Sequence, residues 1–349
     1  MSAPTASKAV EALLRAGLLE EFDAPEVVRG RPGKKLRLAS ETAQVLGLVI
    51  DAGQCRVVTA GLDGVLDDQR TLEFTTPDTY EELIEAAVRH LEQLRGQKGV
   101  ATHGVAVTVP GLVDYRRERS ILSPNVPITN QRTPSRDLAA RLGIECVMVQ
   151  EEHALCLAER YFGDARGVDD FAVLDVSTGV GLGVMSGGRL LTGHAGLAGE
   201  IGHLTMELDG RRCGCGNYGC LETVASDSAL AWALSQRLGR KVDIEDAIRL
   251  VREGSLDPAW ELARVGRYLA VALAGVINLF NPSTLFIHGK LFALDERLFQ
   301  RVLEETRRRA LPPSFDECRI VQARSSKRQG AVAAIIEHLT NSLSQTLLP

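Results

Sequence analysis

The sequence predicts an α/β protein with two similar lobes. From position 45 onward, two apolar strands, a helix and another strand follow one another, and the same order recurs later in the chain. This repetition is typical of paired α/β lobes with a ligand cleft between them. The 349 residues and the hydrophobic content of 45% are sufficient for two or three domains with substantial cores.

Composition limits the class of partner. The formal net charge of −5 excludes a polycation that coats nucleic acid, so any DNA contact must come from a local basic patch. No stretch approaches the run of about 18 apolar residues that a membrane span needs, and the N-terminus lacks a signal-peptide pattern. Because the cysteines are spaced for metal binding and no targeting segment is evident, we expect a cytoplasmic protein without membrane contact.

The N-terminal segment, residues 1–40, is predicted to be distinct from the lobes. Residues 5–16 carry apolar side chains at helical spacing, and Gly17 follows at the position of a helix C-cap. A short apolar run at 18–22 comes next. Five basic residues and no acid then lie between positions 29 and 37, in a turn-rich segment.

The lobes are assigned to residues 45–145 with 331–349, and to residues 146–330. The elements of the first lobe are strands at 45–51 and 56–62, a turn at Asp63-Gly64, a helix at 81–94, a strand at 104–109, a helix at 137–142 and a closing helix at 331–343. The elements of the second lobe are a strand at 146–149, a helix at 153–161, strands at 170–176 and 180–185, a long helix at 258–279 and a strand at 284–288.

One short segment contains a complete metal-binding set, namely His203, Cys213, Cys215 and Cys220. An imidazole and three thiolates fill the tetrahedral shell of a structural Zn²⁺ and leave no open position for catalysis. The metal is therefore expected to brace a loop that presents Glu200 and Glu222. The other cysteines, which fit the alternative of buried small hydrophobic residues, are Cys55, Cys146, Cys156 and Cys318.

Several ordered motifs resemble the ROK family, which comprises repressors, open reading frames and sugar kinases. The motifs are Asp51-Ala-Gly53, Pro110-Gly111-Leu-Val-Asp114, Ser123-Pro124-Asn125, the helical run 154–159, Thr178-Gly179-Val-Gly181, Gly199-Glu200-Ile-Gly202-His203 and the Cys213–Glu222 run. The resemblance covers residues 45–340. It implies a two-lobed actin-like fold of the sugar kinase and ribonuclease H type, with a partial winged-helix segment at the N-terminus.

The resemblance also implies a sugar site in the cleft between the lobes. The family's sugar-binding positions correspond here to Asn125, Glu200, His203 and Glu222, and Glu151 is expected to join them. Carboxylates accept hydrogen bonds from adjacent hydroxyls, and an amide both donates and accepts, so this set suits a polyol. The alternative is that Glu200 and Glu222 are ordinary surface acids.

The phosphate-binding motifs are degenerate compared with those of the kinases that the chain resembles. Gln54 and Cys55 stand where the kinases have glycine and threonine, so a side chain replaces backbone that must approach phosphate. Glu151 replaces the aspartate base and is one methylene longer, and a misplacement of about 1 Å can cost about a hundredfold in rate. ATP and Mg²⁺ are expected as cofactors only if the chain is a kinase. In that case Glu151 would be its base. The degenerate nucleotide site would consist of Asp51, Gly53, Thr178, Gly179 and Gly289.

The N-terminal segment resembles the recognition helix and wing of a winged helix-turn-helix. Its candidate DNA-binding residues are Thr5, Ser7, Lys8, Arg29, Arg31 and Lys34. The alternative is an amphipathic helix packed on the sugar-binding lobe, followed by a solvated basic loop. Two helices precede the recognition helix in the family, whereas this sequence starts at it. Either the sequence is a truncated repressor, or the protein has lost independent DNA binding.

These observations together predict a sugar-responsive regulator of the ROK type, and specifically a repressor. A monosaccharide or a sugar derivative would be its effector and operator DNA its partner, and the chain would act as a homodimer or homotetramer. Sugar binding is expected to close the lobes and to change the spacing of two N-terminal segments over two DNA half-sites. Two alternatives stay open: an ATP-dependent hexose or amino-sugar kinase, and a sugar-binding protein without DNA contact.

Overall fold

The computed structural model of the protein describes residues 3–23, 34–96 and 98–347. The chain divides into two compact units. Unit 1 comprises Met1–Ile121, Ile128–Ala158 and Ser326–Pro349, and unit 2 comprises Leu122–Pro127 and Glu159–Ser325. Each unit contains one five-stranded mixed sheet.

The elements follow one another in this order. The first half of the chain contains α1 (Ala3–Arg15), β1 (Leu19–Asp23), β2 (Lys34–Leu38), β3 (Ala43–Val49), β4 (Gln54–Ala60), β5 (Leu72–Thr75), α2 (Tyr80–Arg95), β6 (Ala101–Val109), β7 (Leu112–Asp114), β8 (Arg119–Leu122), α3 (Pro134–Leu142), β9 (Cys146–Gln150) and α4 (Glu151–Tyr161). The second half contains β10 (Phe171–Asp175), β11 (Gly181–Ser186), β12 (Arg189–Leu190), α5 (Asp227–Leu238), α6 (Ile244–Arg252), α7 (Ala259–Phe280), β13 (Thr284–His288), α8 (Leu298–Arg307), α9 (Pro312–Asp316), β14 (Arg319–Gln322) and α10 (Lys327–Leu347).

The sheet of unit 1 has the strand order β5-β4-β3-β6-β9. The strand β3 is buried along its whole length, and its neighbours are antiparallel β4 and parallel β6. Helix α10 packs on β3 and β6, while α2 packs on β4 and α3. Because helices cover the sheet, its central strands read as continuous apolar runs, and this explains why the sequence identifies them.

The N-terminal segment also belongs to unit 1. Helix α1 is followed by an antiparallel pair in which Leu19 of β1 lies opposite Leu38 of β2. The buried Glu20 carboxylate joins this pair to the sheet, since it accepts hydrogen bonds from Arg37 Nε at 2.7 Å and from the Thr42 hydroxyl at 2.8 Å. The segment is thus held at the point where β3 begins.

The sheet of unit 2 has the strand order β12-β11-β10-β13-β14, with β10, β13 and β14 parallel. Helix α7 packs against α8 and α5. It is long and apolar enough to cross a membrane by length and composition, but 56% of its most apolar window is buried inside the protein. Asn281 ends the helix in the left-handed conformation with φ 45°.

The predicted strands and helices of both lobes are present, and α1 and β1 lie where the N-terminal pattern indicates. The elements that were not predicted from the sequence are the strands β2, β5, β7, β8, β12 and β14 and the helices α5, α6, α8 and α9. These strands have only two to five residues, too few for a recognisable alternation of apolar and polar side chains. The predicted domain boundaries stay a prediction; β9 pairs with β6 and lies in unit 1.

Candidate metal centre and its neighbouring carboxylates

The segment from His203 to Glu222 folds back on itself within unit 2. Thr205 lies opposite Cys220, and Arg212 lies opposite Tyr218, in two isolated antiparallel bridges. Gly219 makes the return possible. Its φ is +63°, and a Cβ atom at this position would lie 1.7 Å from the backbone oxygen of Glu207. Only glycine fits there, because both the backbone conformation and the available space exclude a side chain.

This folded loop brings the four predicted metal ligands together, namely His203, Cys213, Cys215 and Cys220. Their donor atoms all lie within 4.8 Å of one another. Cys215 Sγ lies 3.8 Å from Cys220 Sγ, and Cys213 Sγ lies 3.7 Å from His203 Nδ1. A tetrahedral site with Zn–S bonds of about 2.3 Å has edges of roughly 3.7 Å. The donor set and its spacing therefore fit a zinc ion.

Without a metal ion, the surroundings of the cluster favour the neutral form of two of its thiols. Burial raises the pKa of the Cys213 thiol, and the hydrogen bond to Glu222 raises it further. Burial also raises the pKa of Cys220. Ionisation of Cys213 and Cys220 here would therefore need a compensating positive charge. A coordinated metal ion supplies that charge and deprotonates its thiol ligands.

Both of the predicted sugar-binding carboxylates lie beside this cluster. Glu222 Oε1 is 2.8 Å from Cys213 Sγ and 3.9 Å from His203 Nδ1. Glu200 Oε2 is 3.7 Å from His203 Nε2, on the other side of the ring. One imidazole nitrogen thus faces a thiol ligand while the other faces a carboxylate. Such a second partner fixes the orientation of a metal-bound histidine.

Asn125 approaches the same place from the short segment Leu122–Pro127 of unit 2. Gly179, in the loop between β10 and β11, marks the meeting point. A Cβ atom on Gly179 would lie 2.9 Å from Glu222 Oε2 and 3.3 Å from Asn125 Nδ2. Gly179 was predicted to belong to the nucleotide site, whereas its immediate neighbours here are two of the predicted sugar-binding side chains.

Glu151 lies in unit 1, where it begins α4. Its side chain is only 9% exposed, and its Oε1 is 2.5 Å from Lys327 Nζ. The same ammonium group is 3.8 Å from Asp51 Oδ2. Sequence reasoning missed Lys327, because a lysine at the start of a distant helix carries no signal of its own. That Glu151 shares a sugar site with the residues of unit 2 stays a prediction.

The other residues of the predicted nucleotide site are divided between the units. Asp51 and Gly53 follow β3 in unit 1, whereas Thr178, Gly179 and Gly289 lie in unit 2. No atom lies within 4 Å of a Cβ placed on Gly53. A Cβ on Gly289 would lie 2.5 Å from Val176 Cγ2, so close packing requires glycine there. Their assignment to a nucleotide site stays a prediction.

The predicted DNA-binding residues lie in the N-terminal segment. Thr5, Ser7 and Lys8 are exposed on the first half of α1. Lys34 begins β2 and forms an exposed ion pair with Glu21. Arg29 and Arg31 lie outside the described residues.

Two mixed sheets and a Cys₃His loop beside paired carboxylates define the class as the actin-like fold of sugar kinases and related regulators. Residues 48–338 match the model of the ROK family, and the chain belongs to that family. The xylose repressor of Bacillus spizizenii is 25% identical to it over 96% of this chain and 88% of its own length.

Solved structures show the same relationship. A ROK family transcriptional regulator, described as a homologue of the E. coli MLC protein, superposes with a TM-score of 0.82 at 26% identity, over 97% of this chain and 89% of its own. A ROK hexokinase from Thermus thermophilus gives a TM-score of 0.70 at 29% identity, over 86% of this chain and 99% of its own. The family thus includes both regulators and enzymes that resemble this chain.

Proposed function

We propose that this chain is a sugar-responsive transcriptional repressor whose effector site is braced by a structural zinc ion. The observation that carries the proposal is the position of Glu222. Its carboxylate contacts the Cys213 thiol and also lies beside Gly179, which is next to Asn125. A metal that fixes the loop also fixes this carboxylate. The likeness to a xylose repressor and to a ROK regulator over nearly the whole chain supports the regulatory assignment.

The chemistry of the proposed effector site follows from its side chains. Glu200 and Glu222 would accept hydrogen bonds from neighbouring sugar hydroxyls, and Asn125 would both donate and accept. Zinc would hold Cys213, Cys215, Cys220 and one nitrogen of His203, and its role is structural because the shell is closed. The other nitrogen of His203 would hydrogen-bond the sugar or Glu200. Such a site recognises a polyol by the directions of its hydroxyl groups.

A kinase is the competing function, and one set of observations favours it. The chain is 29% identical to a ROK hexokinase, and Asp51 and Glu151 retain carboxylates in unit 1. Against it stands the ion pair of Glu151 with Lys327, because a base that already carries a neighbouring ammonium group is a weaker proton acceptor. We therefore favour the sensor over the enzyme.

The N-terminal segment would contact operator DNA. The exposed Thr5, Ser7 and Lys8 at the start of α1 suit base edges and phosphates, and the β1–β2 pair would form the wing with Arg29, Arg31 and Lys34. A homodimer or homotetramer would place two such segments on two half-sites. Light scattering of the purified chain would give the oligomeric state.

A monosaccharide panel tests the effector site. Thermal melting and calorimetry should show stabilisation by at least one neutral sugar in the wild-type chain, since a ligand that binds only the folded state raises its stability. Glu222→Gln should weaken that binding at least tenfold. The matched control is Glu296→Gln, which changes an exposed acid elsewhere in unit 2. This variant should keep the sugar affinity of the wild type. Equal loss in both variants would contradict the proposed site.

DNA binding and phosphoryl transfer separate the regulator from its alternatives. Genomic fragments selected on the immobilised protein should shift in gel electrophoresis, with an affinity that falls as salt rises. Lys8→Ala should weaken the shift, and the sugar that stabilises the protein should change it. Release of ADP from ATP with that sugar, abolished by Glu151→Ala, would instead establish the kinase.

A further inference from the structure

A cavity lies in unit 1, away from every residue discussed above for effector binding. Its volume is about 640 Å³, within the usual range for small-molecule sites. It opens beside Ser40 and Glu41, in the turn between β2 and β3, and it reaches Thr59 on β4. The loop between β4 and β5 contributes Asp63, Asp67 and Arg70 to its lining.

Thr59 supplies an independent indication of a ligand. It is only 1% exposed, and its Oγ1 has no hydrogen-bond partner among the described residues. Buried hydroxyl groups in proteins are almost always hydrogen-bonded, because a lost partner is costly. A hydroxyl or an ordered water in the cavity would satisfy this atom.

The charges of the lining specify the ligand further. Asp63 and Asp67 each accept a backbone N–H through Oδ1, from Val65 and Gln69, both at 3.1 Å. Neither aspartate forms an ion pair within the described part of the chain. Arg70 donates to neutral acceptors, one of which is Gln44 Oε1 at 3.0 Å. Glu41, the third carboxylate of the lining, is paired with Arg37. Asp63 and Asp67 against the single guanidinium of Arg70 still leave the cavity with an excess of negative charge, which favours a cation that also carries hydroxyl groups.

We propose that this cavity binds a small polyhydroxylated ammonium compound. Its ammonium group would pair with Asp63 and Asp67, and its hydroxyls would bond with Thr59 and Ser40. The site adjoins the N-terminal segment, because Glu20 accepts hydrogen bonds from the backbone amides of Glu41 and Thr42, at 3.3 Å and 3.2 Å. A ligand here would therefore contact the stretch of chain that anchors the β1–β2 pair to the sheet.

D-Glucosamine is a suitable probe, and D-glucose is its matched control because it lacks the ammonium group. Calorimetry on the full chain should show saturable binding of glucosamine that is at least tenfold tighter than that of glucose. Two variants, Asp63→Asn and Thr59→Val, should each weaken glucosamine binding at least fivefold. Asp63 is exposed, so its replacement by asparagine should not impair folding. Thr59→Ser retains the hydroxyl and should restore glucosamine binding.

Glu222→Gln distinguishes this cavity from the proposed effector site in unit 2. Glucosamine binding should be unchanged in this variant. Loss of binding in Glu222→Gln, persistence of full affinity in Asp63→Asn and Thr59→Val, or no binding at all would each overturn the proposal. If no sugar of the monosaccharide panel binds at the effector site but glucosamine still binds to this cavity, the proposed function fails and this inference holds.

Discussion

The Nζ atom of Lys327 lies 2.5 Å from Oε1 of Glu151. Both side chains are largely buried, with 14% and 9% of their surfaces exposed. The pair joins the first residue of α10 to the first residue of α4 inside unit 1. The motif comparison predicts that Glu151 takes the place of the kinases' aspartate base, and in this structure that carboxylate already lies beside an ammonium group.

Replacing Lys327 by methionine should leave the Glu151 carboxylate buried without this cation. Removal of one partner of a buried pair costs about 3–5 kcal/mol. We expect Lys327→Met to lower the free energy of unfolding by about 3 kcal/mol in urea titrations. The double variant Lys327→Met/Glu151→Gln should recover at least half of the loss. Strictly additive losses in this cycle would show that the two side chains do not interact.

Removal of the metal should affect the loop before the rest of unit 2. Elemental analysis of the wild-type chain should find about one zinc ion per chain, since one Cys₃His set is present in the described residues. Cys215→Ala should lose both the metal and sugar affinity. Cys318→Ala changes a buried cysteine of the unit 2 core outside the cluster and should retain both. Full metal content in Cys215→Ala would contradict the ligand assignment.

Gly219→Ala should disrupt the same loop by steric means alone. The new Cβ would lie 1.7 Å from the Glu207 backbone oxygen. We expect a loss of zinc and a drop of more than about 2 kcal/mol in unfolding free energy. Gly239→Ala is the matched control, because Gly239 has a similar φ of +65° with no atom within 4 Å. It should cost only about 1 kcal/mol and keep the metal.

Glu20 should make the anchorage of the N-terminal segment sensitive to acid. Burial opposes its ionisation, but hydrogen bonds from Thr42, backbone amides and Arg37 outweigh this and lower its pKa to about 2. Its stabilising contribution is therefore complete above the ordinary pKa of 4.5 and is lost as pH falls from 4.5 towards 2. Denaturant titrations should show a weaker pH dependence across this window in Glu20→Gln than in the wild type. Identical slopes would rule out this role of Glu20.

His153 should make stability depend on pH in a higher range, which begins near pH 6.5. Its Nδ1 lies 2.6 Å from the Tyr115 hydroxyl, and burial lowers the pKa of the imidazole to about 4. The unfolded chain binds a proton near the ordinary value of 6.5, so stability should fall as pH drops from 6.5 to 4. We expect a loss of about 3 kcal/mol that His153→Gln abolishes. Titration of the His153 ring by NMR near pH 6.5 in the folded protein would contradict this.

The sequence was sufficient to predict the fold class and the four side chains that the structure brings together as a candidate metal site. Strands such as β3 and β10 are buried on both faces, so their apolar runs are continuous and easily recognised. The ligands His203 and Cys213 lie close along the chain, and a short loop allows few arrangements of four such donors. Motif spacing is informative when chemistry is local.

Only the tertiary structure revealed the partners of these residues. Lys327 meets Glu151 because α10 returns to unit 1 after the whole of unit 2, and no pattern in either segment records that meeting. The same holds for Asn125 beside Glu222 at Gly179, and for the unsatisfied hydroxyl of Thr59. Periodicity and spacing reflect the local conformational preferences of the backbone. Contacts between distant segments depend on how the elements pack, and a single sequence leaves that packing implicit.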